Sequence, residues 1–428
     1  MHAVDTLLYE RHHQNRPINV ALVGAGNMAR MIALHLATQM PGIRLAAVVN
    51  RNPEKAVFAF TEAGVGAPVA VTTPVQLDVA IRDGRGVVTS DPFIVCDAAG
   101  IDVIVDATGA VEYGARVSLR AIEGKKHIVL VNAELDSTIG PVLKAKADGA
   151  GVVITNTDGD EPGVAMNLIR YLRSVGLTPV AAGNLKGMID PHRTPETQKA
   201  FAEKYGQVPK ILTSFADGTK LSMECAVLAN ASGFTVGRRG MHGPKCTHVK
   251  EISGLLPEEE MLAGGLVDYA LGAEPYTGAF VVVHEPNHSK MKHLAYLKMG
   301  DGPFYVFYTP YHLPHVQVAS TIARAVLLHD ATTAPLDGPV CEVIAISKRD
   351  LRKGELLDGV GGFTCYGVIE KSVVVLHEEL LPMGLSEGCR LRKNISKDTV
   401  IAMNDVEVPS GRISDDLYRE QTALFAGR

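Results

Sequence analysis

The run Pro17-Ile18-Asn19-Val20-Ala21-Leu22-Val23-Gly24-Ala25-Gly26-Asn27-Met28-Ala29 constrains the fold more than any other part of the chain. An apolar, β-rich stretch ends on Gly24, and a helical pattern (Ile32, Leu34, Leu36, Met40) follows until Pro41-Gly42 stops it. Strand, glycine turn and helix start, in that order, present backbone amides to a pyrophosphate. Gly24 supplies the tight turn, Gly26 leaves space by lacking a side chain, and Ala29 lets the helix pack close to the strand. Gly24, Gly26, Asn27 and Met28 are therefore the expected cradle of a dinucleotide, with an ordinary strand-to-helix turn as the alternative.

The next apolar run ends at Val48-Val49 and leads into Asn50-Arg51-Asn52. An NAD-binding chain usually carries an Asp or Glu at that distance for the ribose 2′-hydroxyl. Without a carboxylate nothing repels a 2′-phosphate, and Arg51 is placed to pair with it. Asn50 and Arg51 thus favour NADPH over NADH, unless Arg51 is only a solvated loop cation.

With 428 residues the chain exceeds what one core supports. Three segments are expected: a dinucleotide-binding domain over 1–158, a substrate domain with a return helix over 159–335, and a small β-rich domain over 336–428. The fold class is α/β, a doubly wound parallel sheet followed by an α+β domain and the β-rich tail. Strands are expected at Ile18 to Val23, Leu45 to Val49, Val103 to Asp106, His127 to Val131 and Val152 to Thr155, alternating with helices such as Val111 to Ile122. Ligands in such sheets lie beyond the carboxyl ends of the strands. Thr108 and Gly109 are the expected wall over the nicotinamide half, and Asn132 and Glu134 the expected polar contacts near its ribose or the substrate. Turn and helix-cap roles compete for the acidic residues here, Glu134 and Asp136, and for Asp136 the cap is favoured. Asp158, Asp160 and Glu161 are assigned to loop chemistry before a helix at Pro162.

Net charge is −5, which argues against a nucleic-acid binder. The first sixteen residues lack an apolar h-region, and no run of eighteen apolar residues occurs, so a cytoplasmic chain without membrane association is expected. Six widely spaced cysteines indicate neither a zinc site nor a disulfide framework. Between Val180 and Lys250, however, ten Lys and Arg face five Asp and Glu. That local surplus points to a small anionic substrate. Lys186 follows an apolar strand, and His192-Arg193 and Arg238-Arg239 lie in loops rich in Gly and Pro. His192, Arg193, Arg238 and Arg239 are the candidate phosphate contacts, with solvated faces as the alternative.

Within this domain Phe215-Ala216-Asp217-Gly218-Thr219-Lys220-Leu221-Ser222-Met223-Glu224 opens a helix towards Ala231. On one continuous helix Asp217, Lys220 and Glu224, at i, i+3 and i+7, share a face. Two carboxylates and an ammonium there suit proton transfer or a divalent cation, Mg or Mn, held by Asp217 and Glu224. The structural alternative has Asp217 capping the helix and Lys220 pairing with Glu224. In Tyr308-Thr309-Pro310-Tyr311-His312-Leu313-Pro314-His315, before a helix over Val316 to Leu328, Tyr311 and His312 stand between a cleft role and a satisfied hinge, the hinge favoured. Beyond Asp337, short β-rich runs at Val340 to Ile346, Tyr366 to Ile369 and Val373 to Val375 form a compact tail.

Together the nucleotide motif, Asp217-Gly218-Thr219-Lys220, Tyr311-His312-Leu313 and the tail resemble homoserine-dehydrogenase-like oxidoreductases with a C-terminal SAF domain. In the tail the resemblance rests on Ala345 to Gly359 and on Leu391 to Lys397, reached through Leu381-Pro382-Met383-Gly384-Leu385. It implies an NADP-dependent oxidoreductase and a homodimer. Some relatives resemble 1-deoxy-D-xylulose 5-phosphate reductoisomerase-like enzymes of isoprenoid precursor synthesis, which use NADPH and a divalent cation. The expected activity is reduction or reductoisomerisation of a small phosphorylated sugar. Lys220, Asp217, Glu224 and Lys186 would be catalytic. The chain carries Gly24-Ala25-Gly26-Asn27-Met28-Ala29 rather than the Gly-x-Thr-Gly-x-x-Gly of the standard reductoisomerase, so only a divergent type fits. A homoserine-type hydroxy-acid dehydrogenase and a non-catalytic NADP-binding scaffold are the alternatives.

Overall fold

The structure is a computed structural model and describes residues 2–38 and 40–427. They form two compact units. Of the described residues, the first comprises those up to Asp160 with Leu313–Ala334 and Ile413–Ala426, and the second is built from Glu161–His312 and Pro335–Arg412.

The first unit is a Rossmann-like α/β domain. Seven strands, β1 Ile18–Val23, β2 Ile43–Val49, β3 Val69–Ala70, β4 Val87–Thr89, β5 Val103–Asp106, β6 His127–Leu130 and β7 Ile154–Asn156, make one sheet in the order β3-β4-β2-β1-β5-β6-β7. Every pairing is parallel. A parallel sheet is covered on both faces, which is why most of these strands read as nearly continuous apolar runs. The side-chain alternation of a strand then divides each run between two cores. Ala21, Val23, Ile104, Ile128 and Leu130 enter one, and Val20, Leu22, Val103, Val105 and Val129 enter the other. Each fully buried Val, Leu or Ile contributes roughly 1.5–3 kcal/mol.

Strand β7 begins two residues later than expected. The Val152 amide closes the preceding helix by donating to Ala147 O (3.0 Å), and the Val153 amide donates to His127 Nδ1 (3.1 Å). Strands β3 and β4 were not anticipated, being too short to display an alternation. The return helix Pro314–Leu328 lies in this unit, with Val318, Ala319, Ile322 and Ala323 in its core.

In the second unit β8 Thr178–Lys186, β9 Leu266–Leu271, β10 Ala279–His284 and β11 Phe304–Thr309 form a mixed sheet in the order β11-β10-β8-β9. Only β8 and β9 are parallel. They approach so closely that a Cβ on Gly183 would lie 1.5 Å from Asp268 O. The helices Glu161–Ser174 and Thr219–Ser232 pack on this sheet, and all 14 residues of the latter are buried. Two further strands, β12 Cys341–Ser347 and β13 Cys365–Lys371, pair antiparallel and pack on the same helix, and one core runs from Val164 to Val406. The tail thus shares its interior with the middle of the chain. Val373 to Val375, expected as a strand, lie instead in the helix Ser372–His377. Val375 is 1% exposed and Val373 70%, so packing one face of a helical turn overrides the β propensity of the run.

Candidate functional site

The first unit carries a cradle at the carboxyl ends of β1 and β5, where the strand order reverses. Gly24 has φ +117°, and a Cβ there would press on Ala107 O at 2.8 Å, whereas a Cβ on Gly26 would meet no atom within 4 Å. One glycine is required by close backbone approach, and the other opens onto space beside the first turn of the helix Asn27–Thr38. Amides at such a helix start have no intrahelical acceptor, so the geometry fits a pyrophosphate. Met28 packs partly buried against the core behind them.

After β2, Asn50 Nδ2 donates to Asn52 O (2.9 Å), Asn52 caps the helix Pro53–Glu62, and Arg51 is exposed. Across the switch point Asp106 gathers the next turn: its Oδ1 accepts from the Thr108 amide (3.0 Å) and hydroxyl (2.6 Å), and its Oδ2 from Asn132 Nδ2 (2.9 Å). Burial pushes the Asp106 carboxyl up, and these three bonds pull it back. Gly109 follows with φ +62°. Asn132 is fully buried and caps the helix Ala133–Ala150 through Leu135 N (3.1 Å), with Glu134 buried in its first turn. Asn132 thus fixes the shape of the cradle from beneath.

The chemistry-bearing cluster of the second unit centres on Lys186, the last residue of β8. Its Nζ donates to Glu161 Oε1 (2.6 Å) and lies 3.4 Å from Glu224 Oε2. Glu161 opens the helix Glu161–Ser174, and Glu224 sits one turn into the buried helix Thr219–Ser232. Asn184, two residues before Lys186 and hence on the same strand face, donates to Glu224 Oε2 (2.9 Å). The other oxygen of Glu161 faces His312 Nε2 at 3.4 Å, and His312 Nδ1 is 3.0 Å from the Thr277 hydroxyl. Burial alone would lower the lysine, but Glu161 and Glu224 outweigh it and hold the ammonium above the ordinary lysine value. Burial likewise works to raise Glu161, yet Lys186 first and His312 second pull its carboxyl down to about 2. The result is a largely covered cation, 17% exposed at its side chain, aimed by two buried carboxylates.

The expected Asp217-Lys220-Glu224 stripe is not one helix face. The helix Pro209–Ala216 ends at Asp217, Gly218 turns with φ +86°, and a new helix starts at Thr219. Asp217 is bound to Lys348 (2.8 Å) and accepts the Thr219 amide (2.8 Å). Even along a straight helix seven residues separate the two acids by about 10 Å, too far to share an ion. The residues present do not fit a divalent cation held by Asp217 and Glu224. Glu224 turns Oε2 to Lys186 and Asn184, and Lys220 is buried in the same helix.

Nor do the four phosphate candidates converge. His192 pairs with Asp398 (2.8 Å), Arg193 with Asp190 (3.0 Å), and Arg239 with Glu370 (2.7 Å) and Glu378 (2.9 Å), while Arg238 donates to Met241 O (3.0 Å). Their charges serve loop geometry. Sequence reasoning gave Glu161 to loop chemistry and did not single out Asn184 or Thr277. For Asn184 the signal was available, because alternation on β8 puts it beside Lys186.

The two units therefore comprise a Rossmann-like dinucleotide-type domain and a mixed-sheet unit with a buried lysine–carboxylate cluster. Residues 159–318 match the family model described as oxidoreductase DRL, catalytic domain. Over 143 residues the chain is 28% identical to homoserine dehydrogenase of Methylobacillus glycogenes, covering 32% of this chain and 30% of that protein. The matched segment thus spans less than a third of the curated relative. Among solved structures, scyllo-inositol dehydrogenase from Lactobacillus casei with bound NAD(H) and scyllo-inositol is similar at 11% identity and TM-score 0.40, covering 74% of this chain and 92% of that one. Myo-inositol dehydrogenase from Lactobacillus casei, in complex with NAD(H) and myo-inositol, gives 13% identity and TM-score 0.39 over 69% and 75%. Among the described residues, no helix is long and apolar enough to cross a membrane.

Proposed function

We propose that the chain is a nicotinamide-dependent oxidoreductase in which Lys186 acts on the oxygen of a small carbonyl or hydroxyl substrate. The observation that carries this reading is the Lys186 ammonium held between Glu161 and Glu224, within the segment that matches an oxidoreductase catalytic domain. A nicotinamide dinucleotide, when bound, supplies or accepts the hydride. Gly24, Gly26 and Asn27 would hold its pyrophosphate, and Asn50 and Arg51 favour the 2′-phosphate of NADPH. Lys186 stays charged at neutral pH, donates a hydrogen bond to the reacting oxygen and stabilises negative charge developing there. Glu161, Glu224 and Asn184 keep it aimed. A phosphorylated sugar, 1-deoxy-D-xylulose 5-phosphate specifically, is the substrate candidate that the sequence resemblance suggests.

A homoserine-type hydroxy-acid dehydrogenase is the second reading, favoured by the similarity over 143 residues and by the local pairing of His192, Arg193 and Arg239. NADPH consumption with the phosphosugar, and NADP reduction with homoserine, each with and without magnesium, separate the two. Turnover of the phosphosugar supports the first reading and turnover of homoserine the second. Tight NADPH binding with neither leaves a non-catalytic scaffold. Since Asp217 is engaged by Lys348, no metal is expected at Asp217 and Glu224 as a pair.

A further inference from the structure

His312 takes no part in the hydride-transfer reading above, yet its ring is placed with unusual economy. It follows β11 by three residues, and its side chain is 29% exposed, against 17% for Lys186 and 3% for Glu161. Nε2 faces Glu161 Oε2 at 3.4 Å, and Glu161 Oε1 receives Lys186 Nζ at 2.6 Å, so one buried carboxyl joins the lysine to a ring that reaches water. The Thr277 hydroxyl, 3.0 Å from Nδ1, can donate there and leave the ring proton on Nε2, directed at Glu161.

We propose that His312, oriented by Thr277, exchanges protons between solvent and Lys186 through the Glu161 carboxyl. The inference rests on the oxidoreductase reading for its purpose, because reduction of a carbonyl consumes a proton as well as a hydride, and a buried lysine that gives up its proton must recover one. When Lys186 Nζ passes a proton to the new alkoxide, it becomes a neutral amine. Glu161 then loses the positive charge that kept it ionised and accepts the Nε2 proton on Oε2. A half-turn of the carboxyl presents that proton to Nζ, restoring the ammonium and the carboxylate. As Nε2 gives up its proton, Nδ1 takes one from the Thr277 hydroxyl, which regains one from water, so the ring stays a neutral imidazole, and exchange with water then returns the ring proton to Nε2. One proton leaves solvent and one reaches the alcohol in each cycle, and oxidation of an alcohol runs the path backwards. His312 is a positioning residue here, acting on the substrate only through Lys186.

The test reads the path without substrate or cofactor. In protein labelled with ¹⁵N-lysine, the Lys186 ammonium resonance is assigned by its loss in Lys186→Arg, and its proton exchange with water is measured. In His312→Ala the exchange is expected to slow at least tenfold, with recovery on adding imidazole, and in Thr277→Val to slow by a smaller factor. A structural role for the ring would alter chemical shifts but give no rescue by imidazole. Exchange unchanged in His312→Ala, or slowed without rescue, overturns the proposal. Expected exchange behaviour in a protein that turns over none of the candidate substrates would leave the relay standing and remove the oxidoreductase reading.

Discussion

Asp217 and Lys348 form an ion pair at 2.8 Å with side chains 0% and 2% exposed. Lys348 Nζ also donates to Arg193 O and Gly362 O, both at 2.7 Å, so all three of its protons are used. Burial pushes the Asp217 carboxyl up, and Lys348 opposes that shift. A charge so placed is tolerable only with its partner. Lys348→Met is therefore expected to cost about 3–5 kcal/mol. The double change Asp217→Leu with Lys348→Met should cost less than the sum of the singles, as measured by urea unfolding. Strict additivity would show that the pair is not coupled.

Asp136 offers a pH signature in the first unit. It is fully buried, accepts one bond from Asn156 Nδ2 (3.2 Å), and burial raises it from 3.8 to about 7. The folded chain keeps this proton up to about pH 7, while the unfolded chain releases it near 3.8. The unfolded state thus binds fewer protons inside that window, and stability falls as pH rises through it. Asp136→Asn should be close to neutral near pH 3.5 and stabilising by about 4 kcal/mol at pH 8. Urea midpoints across that range decide it, and a constant difference would refute the assignment.

The helix Ala133–Ala150 is broken at Ile139, with Pro141 two residues on. Gln421, from the helix Ile413–Leu424, fills the gap: its Oε1 accepts from Val142 N and its Nε2 donates to Thr138 O, both at 3.2 Å. One amide side chain reproduces the hydrogen bond that the helix lacks. Gln421→Ala leaves a buried donor and a buried acceptor unpaired and should cost about 2–4 kcal/mol. Hydrogen exchange at Val142, which should accelerate selectively, checks the cause.

At the cradle, Gly24→Ala places a methyl 2.8 Å from Ala107 O at a φ that Ala disfavours. Loss of dinucleotide binding is expected, read by NADPH fluorescence. Arg51→Ala should weaken NADPH by about tenfold and leave NADH unchanged. Equal effects on both would remove the case for a 2′-phosphate contact.

The parallel sheet was legible because burial on both faces writes continuous apolar runs into β1, β2, β5 and β6, and because Gly24 and Gly26 mark the turn between β1 and its helix. Lys186 was legible as a candidate through its place at the end of an apolar strand. Its partners were harder to find: Glu161 lies 25 residues before it in an acidic run that looks like loop chemistry, and Glu224 lies 38 residues after it. Spacing alone joined Glu224 to Asp217, but the break at Gly218 and the distant Lys348 decide otherwise, and neither is a local signal. The C-terminal helix was missed for a related reason. Its role through Gln421 depends on a helix some 280 residues earlier, and periodicity does not report such pairing.

The central claim is that the Lys186 ammonium stabilises charge at the reacting oxygen. Single-turnover oxidation of bound NADPH, with whichever candidate substrate the wild-type protein accepts, should slow by about 10²–10⁴ in Lys186→Met while NADPH affinity stays unchanged. Equal single-turnover rates in the two proteins would contradict the account.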